Sequence, residues 1–148
     1  MTLILMAVLA WGSLSAQTLE KVLDDYIELK NYLIDGNQNG VTSSSKQLVI
    51  SLESLKEVNS QKSIINEIIL SSNNINKFSN IEQRRNEFGK QSEALWKLIK
   101  ANDSFPKKVY YDYCPMKKMH WISEVKEIRN PFYGKQMLQC GSVKESIN

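Results

Sequence analysis

"LWKLIKANDSFPKKVYYDYC", Leu95 to Cys114, changes its period part-way along. Leu95 and Ile99 continue a helical spacing set upstream by Phe88 and Ser92, four residues apart on one helix face. The repeat stops in "ANDSFP", where the residue before a proline is held away from the helical region. Beyond Pro106, "VYYDYC" is rich in β-branched and aromatic residues, which favour strands, and "MHWIS" and "QMLQC" are two further short apolar runs read as strands or extended segments. The chain therefore reads as helices up to about residue 105 and a short-stranded or irregular tail from 106 to 148.

Working back toward the N-terminus, the helical pattern recurs. Leu19, Val22, Leu23, Tyr26, Leu29, Lys30 and Leu33 define one face, and Gly36 offers a left-handed stop. "DGNQNG" then reads as a loop of turn formers. A second helix is expected from about Thr42 to Val58, with Leu48, Leu52 and Leu55 inward. A third carries Ile64, Ile65, Ile68, Ile69 and Ile75, interrupted by "SSNN". The fourth is expected to open with a capping box from Ser79 to Glu82. Four amphipathic helices joined by short loops predict a mainly α fold, an up-down four-helix bundle with the tail packed on it.

Ahead of the first helix, "LILMAVLAW" and then "GSLSAQ" carry no charge before Glu20. The apolar run is shorter than the ~20 residues of a membrane span. It reads as an export signal over residues 1–16, cleaved between Ala16 and Gln17, with a buried N-terminal helix as the alternative. The expected mature chain, 17–148, is one exported domain, periplasmic or extracellular, with no membrane span. A net charge of +3 over 148 residues makes no case for nucleic acid. No paired carboxylates, Gly-rich phosphate loop or Ser-His-Asp arrangement stands out, and no enzyme activity is expected.

The tail concentrates the distinctive chemistry. Between Tyr111 and Gly141 lie both cysteines, the single histidine and three of the five methionines. Cys thiolate and Met thioether are soft donors that select Cu(I) over hard cations. Cys114 with Met116, and Met137 with Cys140, could form a two-thiolate, two-thioether cup, with His120 as a further donor. The competing reading is a Cys114–Cys140 disulfide in an exported protein, stabilising by roughly 3 kcal/mol, with the methionines as gap-fillers. Sequence alone leaves these two readings open. A catalytic thiol finds no support, since His120 has no orienting acid beside it and C-x-x-C is absent.

Four motifs carry a resemblance: "YCPM" at Tyr113 to Met116, "WIS" at Trp121 to Ser123, "IRNPFYG" at Ile128 to Gly134 and "MLQCG" at Met137 to Gly141. Together with Arg85, Phe88 and Ser92 they resemble domain-of-unknown-function family 3347, small exported domains also found fused to periplasmic adaptors of copper and silver efflux pumps. The resemblance implies heavy-metal efflux or homeostasis, copper as the cargo, and a pump or envelope protein as partner. The alternative is a disulfide-stapled interaction module of the envelope without metal, docking through its basic, aromatic tail. Met119 and His120 depart from the family pattern, which has small or aromatic residues there. Any role for them is specific to this sequence.

Overall fold

The computed structural model describes residues 3–147, with side chains from residue 14 onward. Four helices come first: α1 (Leu3–Asp35), α2 (Gln38–Val58), α3 (Lys62–Lys77) and α4 (Ile81–Lys100). A three-stranded antiparallel sheet follows, β1 (Val109–Cys114), β2 (Met119–Ser123) and β3 (Ser142–Ile147), in the order β2-β1-β3. The fold is mainly α with a strand-bearing tail. Helices adjacent in sequence are adjacent in space, because connectors this short force each helix to run back along the previous one. Within the segment expected to be an export signal, residues 3–16 are backbone helix continuous with α1; residues 1–2, and the side chains before residue 14, lie outside the described residues. Among the described residues, no helix is long and apolar enough to cross a membrane.

The expected core positions are buried: Leu19, Val22, Leu23, Tyr26, Leu29 and Leu33 in α1, Leu48, Leu52 and Leu55 in α2, Ile65, Ile68 and Ile75 in α3. The boundaries needed correction. Gly36 ends α1 with φ 71°, but the expected loop up to Thr42 is helix from Gln38, because the Asn37 side chain caps it by accepting the Gly40 N–H at 3.0 Å. Gly40 is not a turn glycine. A Cβ there would collide with the Tyr32 ring, so it lets α1 and α2 approach. "SSNN" does not interrupt α3: Ser71 and Ser72 return their hydroxyls to the Ile68 carbonyl. The cap of α4 is Asn80, accepting from the Glu82 and Gln83 N–H groups. The Glu82 carboxylate instead meets Arg85 at 2.8 Å and Lys117 at 3.0 Å.

The sheet is inserted rather than laid on a closed bundle. α1 and α4 make few direct contacts, and β2, an edge strand, packs beside α4 and is hydrogen-bonded to α1 side chains. There the buried Tyr26 hydroxyl accepts the Ile122 N–H at 3.0 Å and bonds the Ser92 hydroxyl at 2.6 Å. Rings continue the join: Tyr26 stacks on Phe88 at 4.9 Å, Phe88 meets Phe132 at 6.2 Å, and Phe132 meets Trp121 at 5.9 Å. Such pairs add to the burial of their area. β1 and β2 coincide with the expected "VYYDYC" and "MHWIS" segments. "QMLQC" is not a strand: a 3-10 turn at Gly134–Gln136 and a further turn carry the chain to β3, "SVKESI". β3 is an edge strand bonded on one side only.

Candidate functional site

Cys114 ends β1 and is fully buried. A four-residue turn, Pro115 to Lys118, closes the hairpin, with Lys118 at φ 54°. Cys140 reaches the same place by another route. Buried Asn130 organises that route: its Oδ1 accepts the Phe132 N–H at 2.8 Å, its Nδ2 donates to the Cys140 carbonyl at 2.6 Å, and its own N–H donates to the Leu138 carbonyl at 2.7 Å. The following residue must be glycine. Gly141 has φ 146°, and a Cβ there would lie 2.7 Å from both the Trp121 ring and the Tyr113 carbonyl. Gly134 is constrained in the same way, with φ 57° and a prospective Cβ 2.6 Å from the Ile34 carbonyl. Asn130, Gly141 and Trp121 thus seat Cys140, while Gly134 lets the tail close on Ile34 of α1 and Arg85 of α4.

The outcome is a thiol pair. Cys114 and Cys140 are both free, and the Cys114 thiol lies near enough to Cys140 to act on its ionisation. The expected disulfide is not formed, although the two residues sit where the tail closes. Partial desolvation, then the Cys114 thiol beside it, pushes the Cys140 thiol above its ordinary value.

The structure does not assemble the rest of the expected cup. Side chains alternate faces along a strand. The β1–β2 register pairs Tyr113 with His120 and Cys114 with Met119, so His120 lies on the face away from Cys114. It stacks on Tyr111 at 4.4 Å, and Tyr111 stacks on Trp96 at 4.6 Å. Burial first, and Lys144 nearby, lower its pKa against the pull of Glu93 and Glu145. Met116 and Met137, close in sequence to Cys114 and Cys140, are exposed, 63% and 39%. Among the described residues, no three His, Cys, Asp or Glu side chains converge as a metal site.

Of the apolar and aromatic side chains of the tail, Trp121 and Phe132 are buried, and Tyr133 and Leu138 are half-buried. Lysines cover others, Lys117 over Tyr133 and Lys144 over Tyr113. This leaves little bare aromatic surface on the tail for docking. One buried polar group went unread in the sequence. Asp112, on the Cys114 face, has both carboxylate oxygens unpartnered and is raised to about 6 by burial, with Lys30 opposing. Lys30, buried on α1, is lowered to about 8 by burial, and donates to Ser123 at 3.4 Å. A charged residue on the otherwise apolar face of α1 was the available signal for this pair.

Residues 22–107 match the family described as "Protein of unknown function (DUF3347)". The chain belongs to that family. The DUF3347 match takes in the helices from Val22 and ends before β1, so it covers the scaffold that receives the tail. No curated protein and no solved structure matches the chain significantly.

Proposed function

We propose that this DUF3347 protein is an exported soft-metal carrier or buffer that holds Cu(I) between the Cys114 and Cys140 thiolates. The observation that carries the reading is the proximity of two unbonded thiols drawn from distant points of the tail. Thiolates match Cu(I) in softness and discriminate against Mg²⁺ and Ca²⁺. Met116 and Met137, exposed and close in sequence to the cysteines, suit the approach of a soft ion rather than its final seat. When bound, the ion supplies no catalysis; it is cargo. The residue pattern of the tail, with its likeness to domains attached to copper pumps, supports heavy-metal efflux or homeostasis as the setting. A pump or envelope protein is the proposed partner. The apolar run before Glu20 supports export.

The proximity of the thiols also favours a second reading, a disulfide staple formed on oxidation after export. Titration of reduced protein with Cu(I) against a competing chelator separates the two. We expect one tightly held Cu(I) in the wild type and its loss in a Cys114→Ser, Cys140→Ser variant. Equal binding by both proteins would remove the copper reading, and thiol counting on protein taken from the envelope would then test the staple.

A further inference from the structure

We propose that Met119 supplies the third donor to Cu(I), an inference that rests on the copper reading above. Cys114 and Met119 are directly opposed in the β1–β2 pair, and opposed residues point to the same face with Cβ atoms about 4.5–5.5 Å apart. The strand order β2-β1-β3 brings Met119 to one side of Cys114. Cys140, which leads into β3 through Gly141, comes from the other. Cys114 thus sits between the remaining thiol and a thioether.

The surroundings of Met119 fit this role better than those of the other two tail methionines. Met116 and Met137 are 63% and 39% exposed, whereas Met119 is half-buried and packed against the core. Helix α4 leaves a notch for it: a Cβ on Gly89 would lie 2.5 Å from the Met119 sulfur. An unbranched thioether can swing from such a notch toward an ion at low energetic cost. His120, the next residue, is on the opposite face and stacked on Tyr111. No three His, Cys, Asp or Glu converge among the described residues, so a third sulfur donor beside the two thiols has to come from a methionine. Met119 is the one that the hairpin register places across from Cys114.

The test uses the reduced full chain loaded with one equivalent of Cu(I). X-ray absorption at the copper edge should count three sulfur neighbours in the wild type and two in Met119→Leu. Changing a neighbour of a metal ligand already lowers affinity by roughly 10–100-fold. We expect at least that loss for Met119→Leu in the chelator competition, and a smaller change for Met116→Leu and Met137→Leu. Gly89→Ala, which presses on the Met119 sulfur without altering a donor, should weaken binding in the same direction. Two sulfur neighbours in the wild type, or unchanged affinity in Met119→Leu, would overturn the third donor. The copper reading would still stand if the Cys114→Ser, Cys140→Ser variant loses the ion. If that double variant binds as the wild type does, both ideas fall together.

Discussion

The four helices and the tail are ordered by different means. In the helices, many interchangeable apolar side chains at regular spacing share the burial; Leu48, Leu52, Leu55, Ile65 and Ile68 do one kind of work. In the tail, single residues do work that no other type can: Asn130 bridges two loops through its amide, and Gly141 passes under an indole ring where no Cβ fits. Damage to the first kind of order should be graded and delocalised. Damage to the second should disconnect one thiol from the other.

The largest effects on stability should test that division. Leu52→Ala, at a fully buried position, is expected to cost roughly 2–5 kcal/mol in denaturant unfolding while Cu(I) affinity stays within a factor of a few. Gly141→Ala should cost somewhat less, about 1–3 kcal/mol, yet abolish most of the copper affinity, because relieving the clash with Trp121 moves Cys140. If the two variants lose copper equally, the division between scaffold and tail is wrong.

A smaller effect sharpens the reading of the helices. Asn80→Ala removes the α4 cap and should cost about 1 kcal/mol. Ser79→Ala, at the position the capping-box pattern pointed to, should stay within about 0.5 kcal/mol. The reverse order in thermal unfolding would restore the capping box.

An effect of pH, confined to the alkaline range, concerns the junction between the two regions. Lys30 on α1 has its pKa lowered from 10.5 to about 8, chiefly by burial. Between those values the unfolded chain holds the proton and the folded chain does not. Stability from this group is therefore full above about pH 10.5 and is lost as pH falls through about 8. Lys30→Met should flatten the wild-type slope over that window, measured by denaturant unfolding at several pH values. An unchanged slope would mean that the amine is solvated in the folded protein.

Legibility in the sequence follows the same line. The helix faces and the two hairpin strands could be read because apolar periodicity and β-former content report burial directly. The start of α2 and the cap of α4 could not, since Asn37 and Asn80 compete locally with equally plausible turn and cap residues. Gly40 looked like part of a turn because its reason, the Tyr32 ring, lies on another helix. At the site, both cysteines were legible as a pair. His120 was misplaced because one residue of strand register separates the two faces, and that register is set by the turn after Cys114. β3 escaped notice because an edge strand with mostly exposed side chains has little alternation to read.

The most direct test of the central claim is thermal unfolding of the reduced protein with and without one equivalent of Cu(I). A ligand that binds only the folded state raises its stability by mass action. The account predicts that copper raises Tm in the wild type and in Leu52→Ala, and leaves it unmoved in the Cys114→Ser, Cys140→Ser variant. An equal rise in that double variant, or no rise in the wild type, would contradict it.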